Sequence, residues 1–219
     1  MATITTCITT QAKRDFLQAG HCFNATVTPT CTVGSGSTSV TSVSSMTGIS
    51  VGMAVTGTSI AAGSVVAKIT STTALTLSTA TTGAISGGTI SVTGDSYKMA
   101  LIKPAPSTAM DSTITNYSQL STDEITGTGY TAGGVALTNV TATTSGTTAL
   151  INWSPNPQWT ASSFTAAGAM IYNTSIRANG LANQVVAIYD FGGSQTVTSG
   201  QFSVLMPVAD ASNAIVRIS

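Results

Sequence analysis

The sequence predicts an all-β fold, in which an antiparallel β-sandwich or jelly-roll frame carries an inserted small β module and a short N-terminal helix. Thr, Ser, Gly, Ala and Val dominate the 219 residues, and threonine and valine are β-branched residues that suit pleated, half-buried strands. The 21 glycines interrupt the chain at short intervals, as turns between many short strands require. Apolar and polar residues alternate in VVAKIT and ALTLS with the period of two expected of a sheet with one buried face.

The N-terminal region predicts the helix. Residues 10–20 (TQAKRDFLQAG) contain three charged residues and end at Gly20, and glycine commonly follows the last turn of a helix. We therefore expect a short helix that ends at this glycine.

Residues 24–94 differ from the rest of the chain, because they form a region of low complexity whose single charged residue is Lys68. Such a composition also occurs in disordered segments, but the recurring apolar alternation favours a small folded β module. We assign residues 24–94 as an insertion and residues 1–23 and 95–219 as the frame. Within the insertion, strands are predicted at 38–44, 52–57, 64–70, 74–79 and 89–94.

The frame contains several further strands with turn signals between them, which is typical of a sandwich or jelly roll. The segment VVAIYDF is almost continuously apolar, so we expect it in the middle of a sheet. The strands are predicted at 96–102, 134–140, 147–153, 163–172, 183–191, 201–208 and 213–219.

The glycine-rich segment at 127–134 (GTGYTAGG) has two interpretations, a phosphate-binding loop or a turn between strands. A phosphate loop needs backbone N–H groups that converge on the anion, usually with a helix starting behind them. Here the glycines lead into Val135, Leu137 and Val140, mixed with threonines, and no Lys-Ser or Lys-Thr pair follows. This pattern favours the turn.

Candidate catalytic groups are few. Asp123 and Glu124 are adjacent acids, but neighbouring residues of a strand point to opposite faces, so we expect a solvated turn and no shared substrate. His21 is the single histidine, and the chain has no G-x-S-x-G motif around which it could act. The sequence therefore assigns no catalytic and no cofactor-binding residue, and we do not expect an enzyme.

Cys7, Cys22 and Cys31 could in principle bind zinc together with His21. The chain has no C-x-x-C motif and His21 adjoins Cys22, so the spacing argues against a metal site. An odd number of cysteines without a secretion signal favours reduced thiols. We assign no metal ligand and expect the three thiols to be dispensable.

Trp153 and Trp159 bracket the segment WSPNPQW. Exposed tryptophans can act as stacking platforms for sugars, and buried ones pack the end of a sandwich core. The core interpretation is favoured.

The chain contains very little charge. Charged residues make up 6% of it, against about 25% in ordinary soluble domains. Seven Lys and Arg residues cannot neutralise a row of phosphates, so we expect no nucleic-acid partner.

No run of about 18 apolar residues is present, and the first residues lack the apolar core of a signal peptide, so we expect neither a membrane span nor export by that route. Solubility must then depend on hydroxyl groups or on burial against partners.

The chain contains the segments FLQAGHCF, DSYKMALI, EITGTGYTAGGVALTNV, GAMIYN, VVAIYDFGG and NAIVRIS. These segments resemble a family of small virion structural proteins of tailed bacteriophages, whose members include capsid decoration or cement proteins. The resemblance covers residues 11–23 and 95–219. In that family the segment similar to GHCF runs almost directly into the one similar to DSYKMAL, whereas residues 24–94 separate them here and resemble small β modules of phage tail and adhesin proteins.

The resemblance implies a non-enzymatic capsid decoration protein on the head surface, assembled in the host cytoplasm and needing no cofactor. Its expected partners are the major capsid protein and further copies of the chain, as a dimer or trimer. One alternative is a tail or head-fibre component that binds a host surface glycan. Another is a bacterial surface adhesin module, which the missing signal peptide disfavours.

Overall fold

The computed structural model describes residues 2–175 and 182–218, and the regular structure within them is mostly β, with 45% strand and 7% helix. All named strand pairs are antiparallel, so the predicted all-β class is confirmed. Two 3-10 helices occupy Tyr117–Gln119 and Ser121–Asp123. In chain order the other elements are β1 (Cys7–Ile8), α1 (Thr10–Leu17), β2 (Thr30–Val33), β3 (Ser39–Thr41), β4 (Ala54–Thr56), β5 (Val66–Ser71), β6 (Ala74–Leu77), β7 (Ile85–Thr89), β8 (Ser91–Thr93), β9 (Tyr97–Ile102), β10 (Val135–Leu137), β11 (Thr143–Ser145), β12 (Thr148–Ile151), β13 (Gln158–Asn173), β14 (Gln184–Ser203) and β15 (Val216–Ile218).

The helix α1 lies where the sequence predicts it. The Thr9 hydroxyl accepts a hydrogen bond from the Ala12 backbone N–H at 3.1 Å and so caps the first turn. At the other end the Gly20 N–H donates to the Asp15 carbonyl at 2.7 Å. The short N-terminal helix is thus confirmed, although its last residue is Leu17 and the glycine belongs to the turn that follows.

The chain forms two compact units. We call the first the frame unit, made of Met1–His21, Ser96–Thr138 and Thr143–Ser219. We call the second the module unit, made of Cys22–Asp95 and Asn139–Ala142.

The frame unit is organised around a five-stranded sheet of order β1-β14-β13-β9-β10. A second sheet has the order β11-β12-β15. The prediction that VVAIYDF lies inside a sheet is confirmed for Val185 to Ile188, which are buried on β14 between β13 and the short β1. One core cluster of this unit contains Ala100, Ile102, Met110, Ile114, Leu120, Met170, Tyr172, Val185 and Ile188.

β13 and β14 form a long hairpin that the sequence divides incorrectly. The strands predicted at 183–191 and 201–208 are parts of one strand that ends at Ser203. Ala166 pairs with Gln195 while Gly168 pairs with Asp190, so residues 191–194 are accommodated as a bulge. Gly192 and Gly193 have φ of 75° and 148°, which suit this bulge as well as they would suit a turn.

The inner and outer halves of this hairpin differ. Residues 168–173 pair with 184–190 on one side and with β9 on the other, and they are buried. Residues 158–166 pair with 195–203 in the outer half, which we call the ribbon. β13 begins at Gln158, five residues before its predicted start.

The other predicted frame strands are present in shorter form. β9, β10 and β12 lie within 96–102, 134–140 and 147–153. β15 lies within 213–219, whose last residue is outside the described residues. The sequence did not predict β1 and β11.

The module unit contains a sheet of order β5-β6-β3-β2-β7 and a pair β4-β8. Each of its five predicted strands has a counterpart in the structure, whereas β2 and β7 were not predicted. Alternation places apolar residues on one face and hydroxyl residues on the other. The buried face includes Cys31, Val33, Val40, Leu75, Leu77 and Ile85. The opposite face includes Thr30, Thr32, Ser39, Thr41 and Thr76.

Candidate functional site

Asp123 is a buried anchor for a loop of the frame unit, so the prediction that it lies in a solvated turn is wrong. A 3-10 turn at Ser121–Asp123 directs its carboxylate inward, where the side chain is 2% exposed. The carboxylate accepts hydrogen bonds from the backbone N–H groups of Ser107 at 2.8 Å and Thr108 at 2.9 Å. The Lys103 ammonium lies 3.0 Å away.

These contacts fix the charge of Asp123. Burial alone would raise the pKa of this carboxyl, but the backbone N–H groups of Ser107 and Thr108, together with Lys103, hold the pKa well below its usual range. The group is therefore an ionised acceptor whose available partners are already bound. This arrangement anchors the loop, and a general acid would need the opposite pKa shift.

Glu124 faces a different set of partners, a cluster of tyrosines. Tyr117 and Tyr130 each donate a hydrogen bond from the phenol to its carboxylate at 2.6 Å. The Gly133 backbone N–H donates to the same carboxylate at 2.7 Å. Asp123 and Glu124 have no partner in common among these contacts, so the geometry agrees with the expectation that the two acids do not act together. The expected solvated turn does not agree with these internal contacts.

The tyrosines of this cluster remain protonated near neutral pH. Burial, followed by the hydrogen bond to Glu124, raises the pKa of both Tyr117 and Tyr130 above the ordinary value. Burial and the Glu124 charge raise the pKa of Tyr172 to about 12. Tyr172 stacks on Tyr117 with ring centroids 4.4 Å apart, and its hydroxyl donates to the Gly133 carbonyl at 2.7 Å. The cluster can hold the glycine segment in place by hydrogen bonds, and its three phenols stay neutral at neutral pH.

The glycine segment at 127–134 is a closely packed connection into β10, and a helix does not follow it. A side-chain carbon at Gly127 would lie 2.6 Å from the Ser163 carbonyl oxygen, and one at Gly129 would lie 2.9 Å from the Ser162 Cα. At Gly134, with φ of 70°, it would overlap the Met99 carbonyl. These glycines let the backbone approach β13 and β9, so the predicted turn is confirmed and the phosphate-loop interpretation is not supported.

Both tryptophans belong to the core of the frame unit. Trp153 is 1% exposed and meets the Tyr97 ring edge-on at 5.3 Å, and Trp159 is 3% exposed. Trp159 lies 6.1 Å from Tyr130 and 6.0 Å from Phe202, measured between ring centroids. The predicted packing role is confirmed, and neither ring is available as a stacking platform for a sugar.

The three cysteines are free thiols, as the sequence predicts. Cys22 and Cys31 are buried and Cys7 is half-buried. The Nδ1 atom of His21 lies 2.9 Å from the side-chain nitrogen of Asn173. Within residues 2–175 and 182–218, no group of three His, Cys, Asp or Glu side chains could hold a metal ion.

What the structure leaves exposed is mainly hydroxyl and apolar. The module sheet presents threonine and serine side chains on its outer face, and Thr32 pairs there with Thr41. On the frame unit, Leu17, Leu205 and Val208 are exposed by 89%, 77% and 69%.

Comparison of the chain with protein-family models, with curated proteins and with solved structures finds no match. In the part of the chain that the structure describes, no helix has the length and apolar character needed to cross a membrane.

Sequence reasoning missed the tyrosine cluster around Glu124. The available signal was the presence of Tyr117 and Tyr130 within seven residues of Glu124, close to the glycine segment. Spacing alone could not reveal that the phenols converge on one carboxylate, because Tyr172 and the backbone of β9 complete the arrangement from distant parts of the chain.

Proposed function

We propose that this chain is a structural protein of a tailed-bacteriophage virion, a capsid decoration protein that lies on the head surface and bridges neighbouring capsid subunits. One observation carries the proposal. The adjacent acids Asp123 and Glu124 are engaged in internal hydrogen bonds, while the exposed residues of β2, β3 and β4 are uncharged and the apolar side chains of Leu17, Leu205 and Val208 are exposed. The resemblance of residues 11–23 and 95–219 to virion structural proteins supports the same role.

The mechanism is mechanical. A decoration protein that spans a subunit boundary adds contacts that must break before the subunits can separate. Protein–protein contacts of standard size bury about 1,600 Å² in total. Repetition over a symmetric shell adds avidity to each contact, so modest individual affinities are sufficient.

The low charge predicts how the attachment responds to salt. Contacts made by apolar burial and backbone pairing persist at about 1 M salt, where the Debye length is near 3 Å and ion pairs are screened. We expect the full chain to co-sediment with undecorated heads equally at low and high salt. Quantitative release at high salt would contradict this mode of attachment.

Copy number per virion tests the location. Hundreds of copies, measured by quantitative mass spectrometry of purified particles, are expected for head decoration. A handful of copies would overturn the proposal in favour of a tail or head-fibre component.

A further inference from the structure

The ribbon of the frame unit has one covered edge and one open edge. The β13 edge is covered by the glycine segment, whose Thr128 carbonyl accepts a hydrogen bond from the Ser163 N–H at 3.0 Å. On the β14 side, pairing with β1 ends at Ile188, and the Asp190 N–H donates to the Thr6 hydroxyl at 2.9 Å. Beyond that point, among the described residues, no further strand pairs with residues 195–203 besides β13.

The open edge lacks charge, proline and a covering segment. It carries a bulge, because Ser199 has a φ of 47° and the register with β13 shifts between Ser162 and Phe164. Proteins blunt a free strand with charged residues or proline, or cover it with another segment. Residues 191–206 contain no charged residue and no proline. Residues 192–196, 198, 199 and 201 are exposed, so the described chain does not cover this edge. A two-stranded ribbon is also only marginally stable by itself, and a third strand would stabilise it.

The chemistry of this edge suits a second copy of the same chain. In a two-fold pairing, residues near the axis meet their own copies, and like charges placed there would repel. The absence of charge from residues 191–206 removes that repulsion. A different partner would not need an uncharged edge, because it could supply the opposite charge.

Apolar groups at this edge are also self-complementary. A groove of about 400 Å³ lies beside the edge; Phe191, Phe202 and Leu205 supply apolar lining, and Asp190 and Gln195 supply polar lining. Leu205 is 77% exposed. In an antiparallel pairing centred on Ser199, Leu205 of one copy lies opposite Gly193 of the other, beside the Phe191 end of the groove. Each copy would therefore place an exposed leucine against the groove of its partner.

We infer that residues 195–203 of β14 pair antiparallel with the same residues of a second copy, joining two ribbons into one four-stranded sheet across a two-fold axis. This inference rests on the proposed decoration role, for which further copies of the chain are expected partners, and it names the surface through which two copies pair. The dimer would present two frame units to the capsid.

Sedimentation equilibrium of the full chain tests the inference. We expect the wild-type protein to be a dimer. Thr198→Lys places two ammonium groups near the axis, and Leu205→Ser empties the groove, so each variant should dimerise at least tenfold more weakly. The matched controls are Thr32→Lys, on the exposed face of an interior module strand, and Leu17→Ser, at a leucine that is 89% exposed away from the edge. Both controls should dimerise like the wild type, and circular dichroism should show that all four variants are folded.

A monomeric wild-type protein, an assembly of three or more copies, or a dimer unchanged by Thr198→Lys would overturn the inference. The measurement needs no capsid, so the two proposals fail separately. A dimer that does not bind heads contradicts capsid decoration and leaves the edge pairing standing. Decoration of heads by a monomeric chain contradicts the edge pairing alone.

Discussion

At the scale of single residues, two neighbouring carboxylates hold different loops of the frame unit. Asp123 binds the loop at Ser107 and Thr108, and Glu124 binds Tyr117 and Tyr130. Hydrogen bonds to an ionised acceptor are about twice as strong as neutral ones, so the ionised Asp123 can fix a segment that has little regular structure. Asp123 and Glu124 therefore hold loops of the frame unit in place.

Tyr130→Phe tests the tyrosine cluster. The Tyr130 hydroxyl accepts from the Leu101 N–H at 3.0 Å and donates to Glu124 at 2.6 Å, so its removal takes the acceptor from the Leu101 N–H and one of three donors from Glu124. We expect the free energy of unfolding to fall by about 1–3 kcal/mol in urea denaturation. Tyr189→Phe is the matched control, because the Tyr189 hydroxyl has no hydrogen bond within the described residues, and its effect should stay within about 0.5 kcal/mol. Equal effects of the two variants would show that the cluster adds no stability.

Asp123→Asn tests the anchored carboxylate through pH. The folded-state pKa of Asp123 lies below the unfolded value of about 4, so the wild type gains stability from this group above that pH and loses it as pH falls through the folded pKa. We expect the variant to be less stable by about 2–3 kcal/mol at pH 7, with the difference narrowing below about pH 4. Asp190→Asn, at an exposed position, is the control and should change stability little. A difference that does not depend on pH would contradict the role of the charge.

The sequence could predict only part of this residue-scale organisation. Adjacency correctly suggested that Asp123 and Glu124 have separate surroundings. Their partners could not be predicted, because Lys103, Ser107 and Tyr172 reach the two acids through tertiary packing. The burial of Trp153 and Trp159 was predictable, since large aromatic residues usually supply core volume.

At the scale of elements, glycine has two separate uses in this chain. Gly146 has a φ of 60° and open space around it, so it serves the turn between β11 and β12. Gly134 has a φ of 70° and also lies against the Met99 backbone. Both have the left-handed conformation, and only Gly134 adds a close approach to another strand.

Alanine substitutions separate these two uses. Gly146→Ala should cost about 1–2 kcal/mol through backbone strain alone. Gly134→Ala should cost at least about 1–3 kcal/mol more, because the methyl group would displace β10 from β9. Thermal unfolding of the two variants measures the difference. Equal melting temperatures would show that β10 does not need this close approach.

Strand prediction succeeded where alternation was regular and failed where glycine or serine replaced it. β6 was predicted from ALTLS, in which Leu75 and Leu77 recur on the buried face, and β5 was predicted from VVAKIT, of which Val66 is the buried residue. β7 reads ISGGT and has too few apolar residues to reveal its period. The continuity of β14 across Gly192 and Gly193 depends on pairing with β13, which local sequence does not encode.

At the scale of the whole molecule, the longer segment of the module unit, Cys22–Asp95, has its first and last residues next to each other. The Asp95 N–H donates to the Cys22 carbonyl at 2.8 Å, and the Asp95 carboxylate accepts from the Cys22 N–H at 2.8 Å. Asn139 also donates to the Asp95 carbonyl at 2.7 Å. A segment whose two ends lie together can be inserted into a loop at little cost, because the entropy of loop closure grows slowly with length.

This geometry leads to an excision prediction. Joining Phe23 to Asp95 through a short Gly-Ser linker should leave a folded frame, because residues 22 and 95 are already adjacent and the frame sheet draws no strand from the module unit. Circular dichroism and thermal unfolding should show a cooperative β protein. If the frame carries the anchoring surface, the shortened protein should still co-sediment with undecorated heads, and residues 22–95 expressed alone should not. An unfolded shortened chain would show that the module completes the frame core, and head binding by residues 22–95 would reverse the two roles.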